Sequence, residues 1–242
     1  MSNLSGINII CPYHGQYADV RKLVGSIFLH TRKIPFKITL VDDGSPNKEF
    51  FSTISQMDNQ IDGIRFDKSR GVGAAFNEAI KLTNEPWLVF INSDCIIHEH
   101  NWLLELHKSL EEGMHNKIGL VSSVMDNGGP SVIIERSRMG VRNKPLIEVS
   151  EPLPLICAMV PRKLFDKVGL FKEYPYGYYE DEFLYWAMNK LGYKQAICEK
   201  SWVEHKGGLT TKTLWESDPQ IKDIMINQNR EKCTEDVRKL FA

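Results

Sequence analysis

The chain has 242 residues, of which 42% are hydrophobic and 25% charged, and its net charge is −1 at pH 7. This length is enough for one sizeable hydrophobic core, so a single domain is expected. The near-neutral charge excludes a global electrostatic attraction to nucleic acid or to an anionic membrane.

Strand-like and helical patterns alternate along most of the chain. Apolar runs rich in β-branched residues predict strands at 7–12, 36–41, 61–66, 87–91, 118–122, 154–160 and 201–203. Apolar residues at helical spacing predict helices at 16–31, 47–57, 73–82 and 102–110, with a further helix beginning near Glu180. This order indicates an α/β fold with a mostly parallel, Rossmann-like sheet flanked by helices.

Two regions depart from the alternation. Residues 125–152 contain Gly and Pro and predict a long loop or hairpin over one edge of the site. Its basic side chains would either form a solvated loop or contact a phosphorylated acceptor; they are Arg136, Arg138, Arg142 and Lys144. Residues 216–242 predict one or two surface helices.

The cysteine pattern and the polar start of the chain bear on its location. The five cysteines are scattered, with no Cys-x-x-Cys pair, which is typical of a reduced intracellular protein. The first apolar run, residues 7–11, is too short for a signal peptide or a membrane span. We therefore expect a cytoplasmic protein without an integral membrane segment, and a peripheral position at a membrane surface stays open.

Acidic residues follow two of the predicted strands. Asp42 and Asp43 end one strand, and Asn92-Ser93-Asp94 follows another. Open α/β sheets bind ligands at the carboxyl ends of their strands, and carboxylates there suit a hard divalent cation that carries a diphosphate. The alternative is that both segments are ordinary turns, with Asp as a turn or capping residue.

Two later segments carry ionisable groups in suggestive places. Glu180-Asp181-Glu182 opens a predicted helix, where acids either complement the helix dipole or supply a general base. Mutual repulsion among adjacent carboxylates raises at least one pKa, which suits a base. His205, before Gly207-Gly208, is either an ordinary loop residue or a contact for a metal or a phosphate group. A neutral imidazole is a normal ligand for Mn²⁺ and a less natural one for Mg²⁺. The other six histidines, including His14, lack such a context and are expected to be structural or on the surface.

The segment Gly71-Val72-Gly73 looks like a phosphate-binding loop. It lacks the third glycine of a dinucleotide fingerprint and any Gly-Lys-Ser/Thr, so an NAD or ATP site is not expected.

Seven motifs follow one another along the chain: IICPYHG, LVDDGS, GVGAAFNEAI, FINSDCIIHEHNWL, CAMVPRKLFDKVGLF, YYEDEFLYWAMNKLGYK and VEHKGG. In this order they resemble the family 2 glycosyltransferases of the GT-A fold, in a rhamnosyltransferase-like subgroup. Each motif is weak alone, but their order and spacing are specific and cover about residues 6–210.

The resemblance implies a nucleoside diphosphate sugar of the uridine or thymidine type, Mn²⁺ or Mg²⁺, and inversion at the anomeric carbon. It implies Asp181 as the catalytic base and Asp94 and His205 as metal ligands. Implied donor-binding residues are Pro12, Tyr13, Asp42, Asp43, Lys68, Arg70, Asn77, Asn92 and Ser93. Acceptor-binding candidates are Tyr179, Glu180 and Trp186, and the acceptor would be a glycan, a lipid-linked glycan, a protein or a modified nucleobase.

The same resemblance predicts how one domain, residues 1–242, is divided. About 6–100 would bind the nucleotide sugar, about 101–212 the acceptor, and about 213–242 would form a C-terminal helical tail. The chain departs from the family where Phe76 and Ala187 stand in place of arginines, which puts the contacts of those arginines in question.

Two other functions are consistent with the sequence. A sugar nucleotidyltransferase would need a Gly-rich basic loop after the first strand, where this chain has CPYHGQY. A catalytically silent nucleotide-sugar-binding module would explain the missing arginines, but the combination of Asp94, Asp181 and His205 disfavours it.

Overall fold

A single sheet of nine strands runs through the part of the chain that the computed structural model describes, residues 6–126, 146–208, 212, 214–216 and 218–242. The strands are β1 (Ile7–Tyr13), β2 (Phe36–Asp42), β3 (Ile61–Arg65), β4 (Trp87–Ile91), β5 (Cys95–Ile97), β6 (Ile118–Met125), β7 (Ile147–Val149), β8 (Cys157–Pro161) and β9 (Lys194–His205). The basic side chains between residues 136 and 144 lie outside the described residues.

Helices lie between these strands and after the last of them. They are α1 (Tyr17–His30), α2 (Lys48–Ile54), α3 (Val72–Leu82), α4 (Trp102–Gly113), α5 (Phe165–Val168), α6 (Glu180–Lys190), α7 (Pro219–Asp223) and α8 (Asn229–Phe241). Two 3₁₀ turns, Met114–Asn116 and Arg162–Leu164, and a π-helical segment, Ile224–Gln228, complete the described helical elements. In this part of the chain, no helix combines the length and the apolar character needed to cross a bilayer.

The strand order is β3-β2-β1-β4-β8-β6-β9-β5, and β7 pairs with β9. Strands β1 to β4 are mutually parallel, β8 lies antiparallel between β4 and β6, and β9 is parallel to β6. Because β5 and β7 run against β9, six described strands point one way and three the other. The prediction of an α/β fold with a mostly parallel sheet is confirmed.

The sheet is buried because helices cover it. All seven residues of β1 are buried, as expected for a central parallel strand with helices on both faces. Helix α3 packs on β1 and β2, and α4 packs on β6 and β9. The three-residue strands β5 and β7 escaped prediction, because so short an apolar run has no periodicity of its own.

The start of α3 lies directly against the backbone of residues 172–177. A Cβ atom built on Gly73 would lie 2.4 Å from the carbonyl oxygen of Lys172, and one on Gly71 would lie 2.6 Å from that of Tyr174. Gly71 also has a φ of 89°, which disfavours any side chain. These glycines therefore allow two backbone segments to pack closely, which explains a Gly-x-Gly pattern without a phosphate loop.

The C-terminal helices are not confined to the surface, which corrects part of the prediction for residues 216–242. Ile221, Met225, Asn229 and Cys233 are buried. Cys233 belongs to a small apolar cluster with Tyr174, Phe183 and Ala187, so α8 packs on α6.

We predict opposite effects for two glycine-to-alanine changes in helices. Gly73→Ala should lower the free energy of unfolding, because the new methyl group meets a backbone carbonyl that cannot move aside easily. Gly25→Ala, in α1 with nothing within 4 Å of the added atom, should raise it by about 0.5–1 kcal/mol through helix propensity. Urea unfolding measures both, and equal effects would contradict the close approach.

Candidate functional site

One cavity of about 430 Å³ lies at the carboxyl ends of β1 and β4 and is closed by later segments of the chain. Ten of the residues predicted to bind the donor, the acceptor or the metal, or to act as the base, line this cavity: Pro12, Tyr13, Asp43, Asn92, Ser93, Asp94, Tyr179, Glu180, Asp181 and His205. Residues that are far apart in the sequence thus converge on one cavity.

The pairing of β5 with β9 brings Asp94 and His205 together. Cys95 is the antiparallel partner of His205, and Asp94 directly precedes it. The Nε2 atom of His205 lies 3.1 Å from Oδ1 of Asp94, and both side chains are more than nine-tenths buried. The backbone N–H of His205 donates to Oδ1 of Asp126 at 2.9 Å. The turn Asn92–Asp94 is closed by the Cys95 N–H, which donates to the carbonyl of Asn92.

A carboxylate, an imidazole and a thiol meet at this place. One ligand atom from each of Asp94, Cys95 and His205 lies within 4.8 Å of the others. Burial raises the pKa of the Cys95 thiol well above its ordinary value, with smaller contributions from Cys157 and Asp94. Of these three groups, the carboxylate and the imidazole are the ligands that a hard or borderline divalent cation accepts. This pair suits Mn²⁺ better than the soft metals that thiolates select.

The beginning of α6 places two carboxyl groups at the cavity. Burial raises the pKa of Glu180, and the neighbouring charge of Asp181 raises it further; its Oε2 atom is buried without a hydrogen-bond partner among the described residues. Burial also raises the pKa of Asp181, although the Glu182 N–H donates to its Oδ1 at 2.8 Å and opposes the shift. The two groups therefore hold protons more strongly than exposed acids do.

The sequence profile described as Glycosyl transferase family 2 matches residues 8–169. The chain belongs to glycosyl transferase family 2. The predicted family and enzyme class are confirmed at this level, and the rhamnosyltransferase-like subgroup stays a prediction.

Several glycosyltransferases of known name are similar to this family 2 chain. An N-acetylglucosaminyltransferase of Azorhizobium caulinodans is 28% identical over 95 residues, which is 38% of this chain and 24% of that protein. The chain thus spans about a quarter of the length of this curated relative.

Two solved structures share the fold. GalNAc-T7 with UDP, GalNAc and Mn²⁺ has a TM-score of 0.69 and 16% identity, over 85% of this chain and 44% of that one. The mannosyltransferase PcManGT from Pyrobaculum calidifontis, in complex with GDP-Man and Mn²⁺, has a TM-score of 0.65 and 14% identity, over 86% and 59%. These likenesses confirm the predicted GT-A fold.

Asp42 is not at the cavity of this family 2 member, although the sequence predicts it to bind the donor. Its side chain is completely buried, forms an ion pair with Arg65 and accepts the Ser45 N–H at 2.7 Å. The neighbouring Asp43 does line the cavity, and its carboxylate accepts from Ser69 Oγ and from the N–H groups of Arg70 and Gly71. A carboxylate has about four acceptor positions, so one remains for a ligand.

Four further predicted residues do not line the cavity. The Arg70 guanidinium pairs with Glu173 at 3.4 Å and lies over the ring of Phe66, and Asn77 binds the backbone of Phe171 and the Glu173 carboxylate. Lys68 is also absent from the lining. Trp186 packs edge-on against Phe241 of α8 and so contributes to the contact between two helices.

Several lining residues were not predicted as site residues. His14, expected to be structural or on the surface, lines the cavity, and its Nδ1 atom lies 2.8 Å from the carbonyl oxygen of Asp43. Phe76 forms part of the wall, fully buried and 4.5 Å from the ring of Phe90. The other additions are mostly apolar: Val72, Pro154, Leu155, Ile156, Tyr176, Gly177, Tyr178, Gly208, Leu214 and Met225. The sequence could have indicated His14, because this residue directly follows β1, whereas no sequence signal indicated Met225.

The Asp42–Arg65 pair leads to a stability prediction. Arg65→Met should lower the free energy of unfolding by about 3–5 kcal/mol, because it leaves a buried carboxylate without its partner. Lys37→Met is the matched control on the neighbouring strand: its pair with Asp62 is about half exposed and should matter by less than about 1 kcal/mol. Denaturant unfolding measures the free energy of unfolding of both variants. A similar small loss for both would indicate that the buried Asp42 carboxylate does not depend on its pair with Arg65.

Proposed function

We propose that this chain transfers a sugar from a nucleoside diphosphate sugar to an acceptor hydroxyl, with Asp181 as the general base and with inversion at the anomeric carbon. The observation that carries the proposal is that Asp94, His205 and Asp181 line the same cavity. A module that only binds nucleotide sugars would have no need of a buried carboxylate there.

Asp94 and His205 would hold Mn²⁺ or Mg²⁺, and the imidazole ligand favours Mn²⁺. When bound, such a cation neutralises the charge that develops on the departing nucleoside diphosphate. Both structural neighbours were solved with Mn²⁺ and a nucleotide or nucleotide sugar, which supports this choice.

Pro12, Tyr13, Asp43, Asn92 and Ser93 would contact the donor, because they line the cavity beside the metal-binding pair. The acceptor position of Asp43 that remains open would bind the N3–H group of uracil or thymine. Phe76 stands where family members carry arginine, so the donor would meet an apolar wall instead of a positive charge there.

In the proposed reaction, Asp181 removes the proton from the acceptor hydroxyl as its oxygen attacks the anomeric carbon. The new carbon–oxygen bond forms while the bond to the diphosphate breaks, and attack from the opposite face inverts the configuration. The hydrogen bond from the Glu182 N–H orients the Asp181 carboxylate. The division of the domain into a donor-binding half, an acceptor-binding half and a C-terminal tail is part of the same proposal.

Asp181→Asn should reduce turnover by about 10²–10⁴-fold while nucleotide-sugar binding persists, because only the proton acceptor is lost. Steady-state kinetics on a panel of nucleoside diphosphate sugars with Mn²⁺ measures turnover, and thermal shift measures binding. The matched control is Glu182→Gln, one position along α6 and outside the cavity lining, which should keep most activity.

The pH dependence of kcat/KM gives a second test of Asp181 as the base. A base acts when deprotonated, so a raised pKa of Asp181 moves the acid limb of kcat/KM to a higher pH than an ordinary aspartate near about 3.9 would give.

Near-normal turnover of Asp181→Asn would refute the role of Asp181 as base. Nucleotide-sugar binding by wild-type protein without any turnover would favour the silent module, and formation of a sugar nucleotide from a sugar phosphate would favour the nucleotidyltransferase.

A further inference from the structure

The segment that leads into α6 has an unusual backbone. Four successive residues have positive φ: Tyr176 (61°), Gly177 (102°), Tyr178 (76°) and Tyr179 (72°). Residues with a β-carbon rarely adopt this region, and such a conformation persists only where the surrounding structure imposes it. All four residues line the cavity, and Glu180 and Asp181 follow at once.

A buried side chain from the C-terminal helix supplies two of the restraints. Asn229, the first residue of α8, is 2% exposed, and its Nδ2 atom lies 2.9 Å from the carbonyl oxygen of Pro175 and 2.8 Å from that of Gly177. Both amide hydrogens are thus donated to the strained segment instead of to the helix that carries Asn229. An aspartate of the same size has no hydrogen to donate when ionised.

The rest of the tail restrains the same segment. The Tyr179 hydroxyl donates to the carbonyl of Ile226 at 3.0 Å, within the π-helical turn. The Tyr174 hydroxyl donates to Oδ2 of Asp236 at 3.2 Å. On the opposite side, Gly71 packs against the backbone of Tyr174 and Gly177. The segment is therefore held between α3 and the tail.

We propose that Asn229 is a positioning residue for sugar transfer, which holds residues 175–179 in the conformation that presents Asp181 to the acceptor. This inference rests on the proposed role of Asp181. The profile match ends at residue 169, so both the strained segment and the tail lie beyond it.

The test compares Asn229→Asp and Asn229→Ala with the control Asn227→Ala. Asn227 is an exposed residue of the same tail, and its amide donates within the tail, to Asp223 at 2.8 Å. The measurements are hydrogen exchange of peptides that cover residues 174–183, the thermal midpoint, and kinetics with the donor that the wild-type enzyme uses.

We expect both Asn229 variants to speed exchange in residues 174–183 by about ten-fold or more, while peptides from β4 and β5 keep wild-type rates. We expect kcat to fall by about ten-fold or more and the donor KM to change by less than about three-fold, because orientation of the base is lost while the donor contacts remain. Asn227→Ala should match the wild type in all three measurements.

The proposal would be overturned if the Asn229 variants kept the wild-type exchange rates in residues 174–183, or if they lowered the thermal midpoint without changing kcat. Asn229 would then be a purely stabilising residue. An ionised aspartate also repels the two carbonyl oxygens, so the alanine variant must show the same direction of change. If wild-type protein turned over no nucleotide sugar, the proposed function would fail, and the exchange measurement would still decide whether Asn229 holds the segment.

Discussion

The antiparallel pairing of β5 with β9 is the interaction on which the rest of the site depends. It joins a three-residue strand that follows β4 to the end of the longest described strand, and so places Asp94 beside His205. Two proposed metal ligands, separated by more than 100 residues in the sequence, become neighbours through a backbone register. A slip of one residue would turn every side chain of the shifted strand to the other face of the sheet and would separate Asp94 from His205.

Asp181, the proposed general base, reaches the same cavity by a different route. Residues 172–177 pack on the glycines at the start of α3, and the C-terminal tail covers them from the other side. Ala187, where family members carry arginine, lies in the apolar cluster that joins α6 to α8, so its small side chain leaves room for the tail. The departures from the family pattern at Phe76 and Ala187 are thus both accommodated by apolar packing.

Much of the fold and part of the site could be predicted from sequence, because strand periodicity and acids at strand ends are local signals. The sequence could not predict which of Asp42 and Asp43 faces the cavity. Successive residues of a strand point to opposite faces, and only the fold shows which face meets Arg65. The roles of Arg70 and Asn77 depend on Glu173, about 100 residues away. The contribution of Met225 and Asn229 depends on where the tail docks, for which helical periodicity carries no information.

The central claim is that a cation-bound nucleoside diphosphate and the general base share one cavity. Paramagnetic broadening of amide signals by Mn²⁺ with UDP, in isotope-labelled protein, tests it most directly. The account predicts broadening around residues 94 and 205 and also around residues 177–182, with Met114–Lys117, at the opposite end of the sheet before β6, unaffected. Broadening that reached only one of the two groups, or that spread evenly over the chain, would contradict it.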